Sequence, residues 1–198
     1  MTQDNPVQRA LLPLARFGAL IAGYGLLALS LMIVAEILLR RFANHSMQGS
    51  DEIGGYVLAI TAALGFSYTL LERAHTRVEI LVERIGPDGA AVMNFLACAG
   101  TMVMALFMAW RGFAALAESI RYKSLSGTPL MTPLWQPQSV WVVGLAFFAL
   151  VASAVAVHAG WLLMRDRAGL NRFYGLKTLE EIIREEAHPS GQNTGAQK

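Results

Sequence analysis

The stretch VWVVGLAFFALVASAVAVHAGWLLM, residues 140–164, decides the fold, because it contains no Asp, Glu, Lys or Arg. A helix of this length reaches about 37 Å at 1.5 Å per residue, enough to cross the roughly 30 Å hydrocarbon core of a bilayer. Lipid offers no water to the backbone N–H and C=O groups, so a stretch exposed to it is helical. Working outward, three further apolar stretches of spanning length lie at residues 17–39, 53–71 and 90–110. The whole chain has 198 residues, of which 55% are hydrophobic and 15% charged, a balance that the surface of a soluble domain this small does not carry. The expected fold class is an all-α membrane protein with four transmembrane helices.

A cleavable secretory signal is the competing reading of residues 17–39, since Arg9 and Arg16 precede them. The stretch is longer than an h-region of about 7 to 15 residues and has no small-residue cleavage site before Glu36 and Arg40. The expected organisation is a cytoplasmic N-terminus over residues 1–16, a four-helix membrane domain over 17–165, and a cytoplasmic tail over 166–198. Orientation follows from Lys and Arg, which are enriched in cytoplasmic segments. Eleven lie on the side of the two termini and five on the other, namely Arg40, Arg41, Arg111, Arg121 and Lys123, so both termini are expected inside. Trp110, Trp135 and Trp141 then fall near the outer interface, and Trp161, Phe173 and Tyr174 near the inner one. Cys98, the single cysteine, lies mid-span with no disulfide partner in the chain.

The connecting segments carry their own patterns. Apolar periodicity continues past the third span through residues 111–122, with Gly112 as a candidate bend, so this segment is expected to project outward or to turn along the interface. Residues 78–85 read as a short amphipathic helix on the inner face, and residues 177–187 as a short cytoplasmic helix, with disorder expected after about 189. Residues 127–137 carry Pro129, Pro133 and Pro137, which remove backbone donors and disfavour helix at each preceding position. They are expected to form a defined, extended outer loop.

Few residues are candidates for chemistry. Glu36 lies inside a span, with Arg40 one turn later and Arg41 adjacent. Three roles are open to it: a structural ion pair, a contact with another subunit, or part of an ion path. Ser50 is a candidate cap for the second span, followed by Asp51 and Glu52 at the positive end of the helix dipole. Glu72 and His75 share a face at the other end of that span, as a polar surface pair or a proton-handling one. Ala152, Ala156 and Gly160 form a small-residue stripe suited to close helix packing, within the chain or against a partner. A haem-bearing redox subunit would need two facing imidazoles, and of His45, His75 and His158 only the last lies within a span. No metal-binding spacing, nucleophile elbow or phosphate loop is present, so neither an enzyme nor a bound cofactor is expected, and no nucleic-acid partner.

Several of these residues, in their order and spacing, resemble the small membrane subunit of tripartite ATP-independent periplasmic (TRAP) transporters. The resemblance rests on Glu36 followed by Arg40-Arg41-Phe42, on Asp51-Glu52, and on Gly65 with the run from Tyr68 through Glu72 to His75 and Val78. It continues in Thr132-Pro133-Leu134-Trp135-Gln136-Pro137 and extends over roughly residues 10–165. Gln136 departs from the more usual apolar residue, and the extension after Met164 is longer than the family core needs. The resemblance implies a subunit of the bacterial inner membrane, in a sodium-driven importer of an organic acid that a periplasmic binding protein delivers. The large permease subunit would hold substrate and sodium and move as an elevator, while this chain, with membrane lipid, braces the scaffold. Candidate subunit contacts are Glu36, Arg40, Arg41, Asp51, Glu52, Glu72, His75, Ala152, Ala156 and Gly160. Candidate contacts with the binding protein are Arg121, Lys123, Thr132, Pro133, Trp135 and Pro137. The alternatives are a membrane anchor of a haem-containing redox complex and an accessory assembly protein.

Overall fold

The computed structural model of the protein describes residues 5–44, 46, 48–72 and 86–175. Among them are five helices: α1 (Pro6–Phe42), α2 (Ser50–Leu71), α3 (Gly86–Tyr122), α4 (Trp135–Arg165) and the short α5 (Arg167–Tyr174). The first four are long and apolar enough to cross a membrane. His75, the amphipathic segment expected at 78–85 and the tail helix expected at 177–187 lie outside the described residues.

Each long helix runs past the apolar stretch that announced it. α1 begins eleven residues earlier than its stretch, where Pro6 occupies the first turn and Asn5 Oδ1 accepts from the Val7 N–H at 3.1 Å. Both are favoured at a helix start, since proline there loses no intrahelical bond and the asparagine satisfies an orphan amide. α3 continues without interruption through residues 111–122. Gly112 does not interrupt the helix. It lies against α4, where a Cβ would come within 3.0 Å of Leu145 and 3.4 Å of Trp141. At 1.5 Å per residue α3 is about 55 Å long and must extend well beyond a hydrocarbon core of about 30 Å.

The four long helices form an open row in the order α1, α2, α4, α3. α1 packs on α2, α4 lies between α2 and α3, and α1 touches α4 only lightly. Burial periodicity explains this order. The buried residues of α3 include Ala91, Cys98, Ala105, Gly112 and Ser119, each seven residues from the last, forming one narrow stripe of small side chains. α1 likewise buries Ala15, Ala22, Leu29 and Glu36 at seven-residue intervals. A seven-residue repeat keeps one seam facing one neighbour, and small residues let the backbones approach. α4 instead buries Leu145, Phe148, Ala149, Val151, Ala152 and Val155, among others, on more than one face, as a central helix must. Gly144 of α4 meets Ala63 of α2, and Phe66 of α2 meets Phe148 of α4 with ring centroids 5.3 Å apart.

The flanks of the row remain uncovered. α1 exposes Phe17, Leu20, Tyr24, Leu27, Leu31, Val34 and Leu38, and α3 exposes Val103, Phe107, Trp110 and Phe113. Apolar surface on this scale fits lipid or another membrane subunit rather than water.

Candidate functional sites at the two ends of the row

Polar structure is concentrated at the ends of the row. One end, the Glu52 end, brings together the last turn of α1, the first turn of α2, the close of α3 and the start of α4. Glu36 is buried there and accepts from Arg40 Nη2 at 2.6 Å, one turn along the same helix. Arg40 also donates to Ser46 Oγ at 3.2 Å, and Ser50 is a polar neighbour of the Glu36 carboxylate. Ser50 is thus the first residue of α2 and not its cap. The cap position belongs to Gly49, whose φ of 90° is open to glycine and strained for other residues. A side chain at Gly49 would also collide with Leu130.

Glu52, in the first turn of α2, is buried as well. It accepts from the Tyr56 hydroxyl at 2.7 Å and from the Thr128 hydroxyl, while Ser126 and Thr128 lie 2.7 Å apart. Ser126 and Thr132 stand as further polar neighbours of this carboxylate. No Lys or Arg among the described residues forms an ion pair with Glu52. The carboxylate is held by neutral donors, Tyr56 one turn along α2 and Thr128 in a segment more than seventy residues away.

That segment is more compact than the extended loop expected from its prolines. α3 ends with Lys123 at φ 50°, and the Ser124 N–H donates to Ser119 O at 3.0 Å while Lys123 N–H donates to Ile120 O at 3.3 Å. This pairing of the last carbonyls is a Schellman closure, with lysine in the left-handed position that glycine usually fills. The chain then folds back, so that Leu125 and Pro133 form an antiparallel bridge. Ser126 N–H donates to Thr132 O at 2.9 Å, and Leu134 N–H to Ser124 O at 3.0 Å. Trp135, Gln136 and Pro137 belong to α4 and not to the loop, because a proline in the first turn of a helix leaves no intrahelical bond unmade. Ile120, Lys123, Leu125, Pro133 and Trp135 line a groove of about 540 Å³ on this end.

At the opposite, Tyr174 end, α5 seals the row. Asp166 accepts from the Gly169 N–H at 2.9 Å and starts the helix, which buries Leu170 and Tyr174. Asn171 joins α5 to α3, accepting from Asn94 at 3.0 Å and donating to Pro87 O at 2.8 Å, and Arg167 reaches Asp88 at 3.0 Å. The Tyr174 hydroxyl is 2.7 Å from His158 Nδ1 and 3.4 Å from Asn5 Oδ1, linking α5, α4 and the start of α1. Sequence reasoning missed α5. Its available signal was Asp166 as a cap followed by Leu170 and Tyr174 on one face. Glu72 is occupied here by Arg16 at 3.5 Å.

The structure thus divides the candidate residues. Glu36 with Arg40, and Glu72 with Arg16, are paired inside the chain. Ala152 and Ala156 are buried in its core, and Gly160 lies against Phe95, where a Cβ would come within 3.2 Å. Arg41, Asp51, Arg121 and Lys123 are exposed, and no ion pair forms to any of them among the described residues. No cluster of metal-ligating side chains occurs among the described residues.

The model of the family "Tripartite ATP-independent periplasmic transporters, DctQ component" matches residues 29–160, from the middle of α1 to near the end of α4. The chain belongs to the DctQ family. As a DctQ component it is a multi-pass membrane protein and the small subunit of a TRAP transporter, whose partners are the large membrane subunit and a binding protein. The family is one of transporter components and not of enzymes. The matched residues include both carboxylate centres of the Glu52 end and the whole folded-back loop, while α5 and the first part of α1 fall outside them. Comparison with curated proteins and with solved structures gives no match.

Proposed function

We propose that this DctQ component is the static scaffold subunit of a sodium-coupled importer in a bacterial inner membrane. The importer takes up an organic acid delivered by a periplasmic binding protein. Both termini face the cytoplasm, so the Glu52 end faces the periplasm and the Tyr174 end the cytoplasm. The excess of Lys and Arg on the terminal side supports this orientation.

One observation carries the reading: every Asp and Glu of the four long helices lies near a helix end, and between those ends the row offers apolar surface. A site for an organic acid and sodium ions needs charged or coordinating groups at mid-membrane, and an open row of four helices does not enclose one. What the row supplies is breadth. The uncovered faces of α1 and α3 are suited to lipid on one side and to the large subunit on the other, widening a frame against which that subunit moves as an elevator. Sodium and substrate belong to the large subunit, and this chain holds no cofactor.

At the periplasmic end, exposed Lys123 lines the groove with Pro133 and Trp135, exposed Arg121 lies two residues earlier in the last turn of α3, and this is the surface for the binding protein. Arg41 and Asp51, exposed at the same end, are left for contacts with the large subunit. The test is reconstitution of the large subunit in proteoliposomes, with and without this chain, under an inward sodium gradient and with loaded binding protein outside. Uptake requires both chains and the gradient. Equal uptake by the large subunit alone removes the scaffold role, and uptake indifferent to sodium removes the coupling.

A further inference from the structure

The folded-back loop has two faces. Side chains alternate along an extended strand, so residues next to each other in sequence point to opposite sides. Leu125 and Pro133, the bridged pair, line the groove at the periplasmic end, while their neighbours Ser126 and Thr132 lie on the Glu52 side, Ser126 hydrogen-bonded to Thr128. Thr128, at the turn, donates to the same carboxylate. The groove wall and the Glu52 network are therefore opposite faces of one small piece of backbone. Only four backbone hydrogen bonds hold that piece from Ser124 to Leu134 and close it onto α3. A two-stranded turn of this size is marginal by itself.

We infer that Glu52 is a positioning residue for binding-protein recognition: its carboxylate, working through Thr128 and Ser126, fixes the shape of the groove that the binding protein meets. The inference rests on the assignment of this end to the binding protein in the section above. The chemistry is specific to an ionised carboxylate. A carboxylate only accepts, and both groups that hold it, the hydroxyls of Tyr56 and Thr128, donate, with Ser126 hydrogen-bonded to Thr128 behind them. A glutamine of the same shape would present an NH₂ group to one of these hydroxyls, which would have to turn from donor to acceptor, and neither bond would keep its charge assistance. Because no cation shares the site among the described residues, its strength lies in hydrogen bonds whose partners all come from α2 and the loop.

The experiment uses the intact membrane complex in proteoliposomes, with uptake measured against the concentration of the transporter's own substrate-loaded binding protein. Thr128→Val removes the hydroxyl at nearly constant shape, and Thr128→Ser keeps it. Thr128→Val should raise the half-saturating concentration about tenfold, as expected for loss of one hydrogen bond to a charged group. Maximal uptake and co-purification with the large subunit should stay unchanged, Glu52→Gln should act in the same direction, and Thr128→Ser should behave as wild type. Wild-type saturation in Thr128→Val overturns the inference. So does an equal rise in Thr128→Val and Thr128→Ser, which would assign the effect to packing, or loss of the large subunit, which would make the network a structural brace alone. Arg121→Ala with Lys123→Ala is the control. If that double variant raises the half-saturating concentration and Thr128→Val does not, only the positioning role fails. If neither does, the surface itself is misassigned and both readings fall.

Discussion

Gly144 of α4 lies against Ala63 of α2 so closely that a Cβ on the glycine would stand 2.9 Å from that of the alanine and 3.3 Å from its carbonyl carbon. Backbone meets backbone at this crossing, and α4, the centre of the row, is joined there to the half of the molecule that contains α1.

Gly144→Leu should force this crossing apart. Overpacking of a close-packed contact costs about 1–3 kcal/mol, and here there is no flexible side-chain end to move aside. The expected result is a lower melting temperature of the purified complex in mild detergent, with Gly144→Ala intermediate. A melting temperature equal to that of wild type for Gly144→Leu would mean that α2 and α4 do not meet at this point.

Lys123 closes α3 at a φ of 50°, a conformation that costs a non-glycine residue about 1 kcal/mol. Lys123→Gly should therefore raise thermal stability while removing one of the two cations assigned to the binding protein. Stability and binding are expected to move in opposite directions. Parallel loss of both would show that the lysine side chain holds the end of α3 and has no separate role in docking.

Ser67 is fully buried on α2, and its hydroxyl has no hydrogen-bond partner among the described residues. Ser30, Thr101 and Ser153 behave differently, each donating to the carbonyl four residues earlier. A buried hydroxyl left unpaired costs about 1–3 kcal/mol. Ser67→Ala should accordingly leave stability unchanged or raise it. A clear fall in melting temperature would show that the hydroxyl is bonded in the assembled transporter.

The four spans were legible because lipid imposes a coarse rule, a stretch long enough and free of charge. Their ends were not, because a helix that leaves the hydrocarbon core has no reason to stop there, as α3 shows by continuing through Gly112 to Tyr122. The stripe Ala91, Cys98, Ala105, Gly112 and Ser119 was present in the sequence, but against an apolar background nothing contrasts with it, so periodicity alone does not say which face finds a neighbour. The pair Glu36 and Arg40 is local, one helical turn, and its proximity was readable from spacing. Glu52 was singled out for its place at a helix start, yet beside the local Tyr56 its partner Thr128 lies across the fold in the Ser126–Thr132 turn, and the proline pattern suggested an extended loop that would not have brought it there. Trp135 and Pro137 were misplaced for a related reason, since proline is disruptive inside a helix and harmless in its first turn.

The most direct measurement of the scaffold role is purification from native membranes through a tag on the C-terminal tail, with quantitation of whatever remains bound in mild detergent. The account predicts a large multi-span permease in stoichiometric amount, with no haem absorption band. Recovery of the chain alone, or together with haem-bearing subunits, would contradict it.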